Sequence, residues 1–313
     1  MADTSWPVLS WTDWRETGDA LHLMLQMAGK YRLAHTPWAI HSWHATFYVT
    51  PTGLTTGPVH EAGGCFEVVF DLQVGRVEVR GDRRPVTGFA LGPMSIAEAH
   101  EKLRAAVEAA GGTFAIHPRP SELAVVTPFA EDNPPRPWNA EAVLAWHGAL
   151  LRIVPVFERF RTGFLGKSSP VHLFWGALDL AVTRFSGRPA PPHPGGIPNL
   201  PDAVTQEAYS HEVSSAGFWP GGNGAEEAMF YSYAYPTPDG FSAAKMRVEA
   251  AYWNADLGEF VLPYAAVQAA PDPAKMLITF LEDTYGAAAD LGGWDRGALD
   301  CALGELGRPR SLG

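Results

Sequence analysis

Along the first hundred residues the spacing of apolar positions changes period twice. Residues 13–33, DWRETGDALHLMLQMAGKYRL, place Leu21, Met24, Leu25 and Ala28 at helical spacing, with Thr12 or Asp13 available as N-cap and His22 beside the stripe. After Thr36-Pro37 the period drops to two. Trp43, Ala45, Phe47 and Val49 fall on one face and His44, Thr46, Tyr48 and Thr50 on the other, which predicts a half-buried strand. A turn-rich stretch follows, and then FEVVFDL, RVEVRG and VTGFAL predict three more strands of an antiparallel meander. Ser95 opens SIAEAHEKLRAAVEAAGG, where Glu98 completes a capping box and Gly111 ends the helix. TFAIHP at 113–118 reads as a returning strand.

The proline-rich PFAEDNPPRPWN at 128–139 reads as a linker between an N-terminal half, 1–127, and a C-terminal half, 140–313. The second half repeats the order. It shows an apolar helix from about 140 to 165, strand-like SPVHLFWGALDLAVTRFSG, AMFYSYAYP, MRVEAAYW and EFVLPY, and a closing helix from Pro271 to residue 291. These elements predict an α+β protein of two similar halves, each with antiparallel strands flanked by helices. The similarity is one of pattern and not of letters, so a pseudo-duplication and the chance likeness of two ordinary α+β halves both fit it.

Composition changes this picture mainly by exclusion. The 313 residues carry a net charge of −11, from 34 acidic and 23 basic side chains, so the surface repels phosphate backbones and no nucleic-acid partner is expected. RGDRRP at 80–85 reads as a solvated hairpin tip. Cys65 and Cys301 form no CxxC spacing, no basic and apolar leader opens the chain, and nowhere do 18 apolar residues run together. The expectation is a cytoplasmic protein with no membrane partner.

GKSSP at 166–170 resembles the end of a phosphate-binding loop, but Arg161 stands where that pattern needs Gly, and a helix precedes it. A helix ending at Gly166 with Lys167 at its negative end explains the stretch structurally. GxSxG, HExxH, EF-hand and GxGxxG signatures are absent. What remains is a set of histidines in apolar or aromatic settings: His22, His41, His44, His172 and His211. Burial favours neutral imidazole, the state that binds metal or acts as a base. His41 and His44, three apart, point to opposite faces of a straight strand and chelate together only at a bend.

His44, His172 and His211, with Glu212, are therefore the trial set for a divalent transition metal or for acid–base work, and His41 and Glu212 are the trial catalytic pair. A buried histidine satisfied by backbone groups is the commoner case for each taken singly. Ser214, Ser215 and Gly217 before the turn Trp219-Pro220-Gly221-Gly222 offer hydroxyls and close backbone approach. Asp179 and Arg184 interrupt an apolar run and read as a structural ion pair.

GKSSPVHLFWGALDLAVTRFSGRPAPP at 166–192 and YSHEVSSAGFWPGG at 209–222 resemble an uncharacterised bacterial family described only as a domain of unknown function. The likeness extends to GLTT at 53–56, DALHL at 19–23 and TYGAAADLGGWDR at 284–296, and so covers nearly the whole chain. It implies a bacterial cytosolic protein of about this length and brings no reaction, cofactor or substrate. The family's first stretch tends to run Asn-His-Trp-Trp-His, whereas here Ile40, Ser42 and Trp43 surround the histidines. His41, Trp43 and His44 match, and a polar role at position 40 is put in doubt.

The expected function is a small-molecule enzyme with a histidine-rich site, holding a metal or working by acid–base chemistry, in a pocket between the halves. Trp43, Trp175, Phe218 and Trp219 would wall it, Lys167 or Arg184 would receive an anionic group, and Ser214 and Ser215 would contact substrate. The alternative is a non-catalytic binding protein for a hydrophobic or aromatic small molecule.

Overall fold

A long buried helix, two antiparallel sheets and the helices that back them make up the computed structural model, which describes residues 5–124, 126–222 and 225–310. Helix α1, Trp11–His35, is buried almost continuously from Trp14 to Tyr31, including His22, Gln26 and Lys30. The first sheet follows with β1 (Tyr48–Thr50), β2 (Gly53–Thr55), β3 (Val59–Glu61), β4 (Gly64–Asp71), β5 (Arg76–Gly81) and β6 (Thr87–Ala90). Its order is β1-β2-β4-β5-β6, with β3 also paired to β4. Helix α2, Ile96–Ala110, starts as its sequence predicts, with Ser95 accepting from the Glu98 amide, and ends at Gly111 in the left-handed region at φ 95°.

The second half opens with α3, Ala140–Thr162, N-capped by the Asn139 side chain. It continues with β7 (His172–Phe174), β8 (Asp179–Pro189), helix α4 (Asp202–Ala208), β9 (His211–Trp219), β10 (Met229–Tyr235), β11 (Tyr252–Asn254) and β12 (Glu259–Pro263). Short helix α5 (Tyr264–Gln268), α6 (Pro273–Leu291) and α7 (Arg296–Leu299) close the chain. The second sheet runs β11-β12-β10-β9-β8-β7, all antiparallel. The protein is thus α+β, with one six-stranded antiparallel sheet in each half.

The two sheets meet edge to edge, where Phe47 and Leu173 exchange backbone hydrogen bonds of 2.8 and 2.9 Å. One apolar core draws on both halves, from Leu21, Phe70 and Leu103 to Trp146, Phe218 and Phe280. Residues 128–139 are largely exposed and are tied to it at a few points. Phe129 is fully buried, Met94 bridges Arg136, and Asp132 pairs with Arg136.

Several local expectations are corrected. The period-two pattern from Trp43 does not make a strand until Tyr48, because His41 and Ser42 turn left-handed at φ 63° and 59° and wind 40–45 into a short helical turn. The stretch 113–118 forms no strand; Pro118 and Pro120 remove ladder donors, and the Thr113 amide is taken by Glu61. Helix α3 ends at Gly163 instead of Gly166, so Lys167 does not cap it. MRVEAAYW pairs only from Tyr252, and the seven-residue α4 has no counterpart in the sequence reading.

Candidate functional site

The second sheet has two unlike faces, as the strict alternation of β8, β9 and β10 requires. Leu180, Val182, Phe218 and Phe230 are buried on the side where α3 and α6 pack. Asp179, Ala181, Thr183 and Phe185 look the other way, with Val213, Ser215, Tyr231 and Tyr233. That second face is covered by the end of α1, the turn at 38–45, the segment 117–122 and a strap running from residue 197 through α4. Between cover and sheet lies a cavity of about 1030 Å³, the size expected for a small organic molecule.

Hydroxyls and carboxylates form its floor. Tyr231 donates to the Asp179 carboxylate from two strands away, crossing over Gly217 on the intervening β9. A Cβ at Gly217 would come within 2.3 Å of the Tyr231 ring, so glycine is what lets that ring lie flat and reach Asp179. Thr183 and Ser215 hydroxyls are 2.8 Å apart, as are those of Tyr209 and Tyr233. Glu122 and Glu259 also face the cavity, and among the described residues neither side chain accepts a hydrogen bond.

Helix α1 builds the opposite wall. His22 donates Nε2–H toward the carbonyls of Trp175 and Gly176, and the Gln26 side chain clasps Ser121 through its amide and carbonyl. These bonds hold the loops that carry Trp175 and Glu122. Gly29 gives Trp175 room to lie against the helix, and Lys30 then sits 5.1 Å from the Trp175 ring centre while donating to the Ser121 hydroxyl at 2.7 Å.

The buried charges are displaced from their ordinary behaviour. Burial pushes Asp179 up to about 6, with the Tyr231 hydrogen bond opposing it. Burial, reinforced by Asp179, raises Glu122 to about 7 and Glu259 to about 8. Burial also lowers Lys30 to about 8, against the pull of Glu122. All four groups are thereby moved from their ordinary values toward neutral pH.

The backbone is strained in the same place. Five non-glycine residues among those described adopt positive φ: His41, Ser42, Glu122, Leu178 and Asn199. Four of them line the cavity and Leu178 adjoins Asp179. Each such conformation costs on the order of 1 kcal/mol and persists where surrounding structure enforces it, commonly at functional sites.

The model of a family of unknown function, DUF5996, matches residues 6–301, a span that contains every residue of this cavity. The chain belongs to DUF5996. No curated protein and no solved structure matches it. The site of this DUF5996 chain has to be read from its own chemistry.

Five residues anticipated from sequence do line the cavity: His41, Trp43, Trp175, Ser215 and Trp219. Others fall elsewhere. His44, His172 and His211 are not brought together, and no group of three His, Cys, Asp or Glu among the described residues is arranged to hold a metal ion. His44 accepts from the Ala39 amide and packs on Trp38. His172 contacts the Thr46 hydroxyl beneath Trp43, and burial drives its pKa down to about 3. His211 contacts Ser210, with its ring centre 6.0 Å from that of His41.

His41 itself is occupied on both sides. Its Nδ1 lies 2.7 Å from the Ala208 carbonyl, which can only accept, so Nδ1 carries the proton and Nε2 accepts from Lys167 at 2.6 Å. The Lys167 ammonium rests over the rings of Trp43 and Phe185. Glu212 is not a partner of His211. It points to the far face of β9 and binds Ser186 and Arg188.

Ser214, Phe218 and Arg184 also lie on the packed face. Arg184 and Asp179 form no ion pair, since residues five apart on a strand have opposite orientation. The Arg184 guanidinium is sandwiched by Phe160 and Tyr285 and donates to the Phe160 carbonyl. Sequence reasoning missed Lys30, Glu122, Tyr231 and Glu259. The alternation Asp179-Ala181-Thr183 against Leu180-Val182-Arg184 was the available signal.

Proposed function

We propose that this protein is an enzyme that transforms a small molecule by general acid–base chemistry in the cavity over the second sheet. The observation that carries this reading is the grouping of Asp179, Glu122, Glu259 and Lys30, all shifted toward neutral pKa by burial, around one cavity of about 1030 Å³. Tyr231 orients Asp179, and Ser121 orients Lys30. Asp179 and Glu122 serve as the proton-transfer pair. Burial, reinforced by the Asp179 charge, raises Glu122 to about 7 against about 6 for Asp179, so near neutral pH one is set to donate while the other accepts. Trp43, Trp175 and Trp219 supply apolar walls.

The test is to incubate the purified protein with a small-molecule cell extract and follow depletion and product formation by mass spectrometry. Wild type is expected to convert at least one species and Asp179→Asn to convert it at least about a hundredfold more slowly, the lower range for losing a general acid or base. A species that co-purifies or binds and returns unchanged would overturn the enzyme reading in favour of a binding protein.

A further inference from the structure

Resting on the cavity as the functional site, the structure assigns a substrate class: we infer that the ligand carries a protonated amine on an apolar or aromatic body. The ammonium sits among Asp179, Glu122 and Glu259.

The cavity holds three carboxylates against one lysine ammonium, and that ammonium already donates to Ser121. Arg119 is exposed at the cavity's edge, with its guanidinium tied to the Val126 carbonyl. Glu122 on the cover and Glu259 on the sheet are both half-buried against the cavity, and neither accepts a hydrogen bond from the described residues. A carboxylate partly withdrawn from water and given no donor lacks hydrogen-bond partners, and a ligand that brings N–H donors supplies them. Much of the remaining surface is apolar, aliphatic and aromatic, and within it Trp43, Tyr209, Tyr231 and Tyr233 present rings suited to an organic cation. The carboxylates are not arranged as a metal-binding group of three, so a cation with an extended body suits them better than a bare ion. Acids that are partly protonated in the empty cavity also release protons when such a cation enters.

Isothermal titration calorimetry with three probes of one shape decides the matter: phenethylamine, phenethyl alcohol and hydrocinnamate, near neutral pH in phosphate and in Tris. Phenethylamine is expected to bind at least about tenfold more tightly than the alcohol, the size of one charge-assisted hydrogen bond. Hydrocinnamate should show no binding, and the amine's apparent enthalpy should differ between buffers because protons are released. Asp179→Asn and Glu259→Gln should each weaken the amine about tenfold, with circular dichroism and Tm confirming the fold. Equal or tighter binding of the alcohol or hydrocinnamate, no binding by any probe, or unchanged amine affinity in both variants overturns the inference. Extract turnover is scored separately. If the amine preference fails while Asp179-dependent turnover persists, only the substrate class falls; if turnover fails while the amine binds, only the enzyme reading falls.

Discussion

On neighbouring strands, Phe218 and Phe230 face one way and Ser215 and Tyr231 the other, so one sheet serves two opposed purposes. The packed face meets α3 and α6 through side chains that are fully or nearly fully buried, and its burial stabilises the fold at about 25 cal/mol per Å² of apolar surface. The cavity face instead carries carboxylates and hydroxyls, and the segments that cover it add left-handed backbone, all of which cost stability. The difference teaches where stability and chemistry separate: across the thickness of a single β-sheet.

The sharpest break of that contrast is Phe218→Ala. Removing a fully buried ring from the packed face is expected to cost about 3–5 kcal/mol in chemical denaturation, which tests whether that face carries the fold. Next is Gly217→Ala, whose added methyl would sit 2.3 Å from the Tyr231 ring. It should cost about 1–3 kcal/mol as an overpacked site and abolish the Tyr231–Asp179 contact, so extract turnover should be lost while the protein remains folded. A variant with full turnover would show that this contact is dispensable.

A smaller effect, of opposite sign, is expected for Glu259→Gln. The folded pKa of Glu259 is raised to about 8 from an ordinary value of 4.5, so the folded state holds the proton more tightly than the unfolded chain. Its contribution to stability is therefore fully present below about 4.5 and is lost as pH rises through about 8. The variant's Tm should match wild type at the acidic end, exceed it increasingly with pH, and level off a few degrees higher above about 8. A constant difference across pH would mean that the carboxyl titrates normally. The smallest effect is expected for Arg104→Ala, on the exposed side of α2 with Glu101 and Glu108, where Tm should stay within measurement error of wild type.

Much of the fold was legible because local signals agreed with tertiary structure. The Ser95 capping box and the strands 66–71, 76–81 and 87–90 read directly from period and turn residues. The site was less legible. Histidine attracted attention because imidazole is versatile, yet His22 is satisfied by backbone carbonyls, and His44 spends its Nδ1 on the Ala39 amide while its buried Nε2 meets no partner among the described residues. Lys30 and Glu122 are far apart in sequence and meet only because α1 clasps the 117–122 segment through Gln26, a contact with no local signature. Asp179 was read as the ion-pair partner of Arg184, although strand parity sets it with Ala181 and Thr183 on the face opposite Leu180, Val182 and Arg184.

The left-handed residues around the cavity also bear on how this chain diverges over time. A descendant that no longer used the cavity would lose the reason to keep His41, Ser42, Glu122 and Leu178 in conformations that glycine or asparagine adopt at lower cost. Those four positions would drift toward Gly or Asn, as position 199 already holds Asn, while Phe218 and its packed neighbours stayed fixed. Substitution at the turns of the cavity, ahead of any change in the core, is the expected trace of lost function.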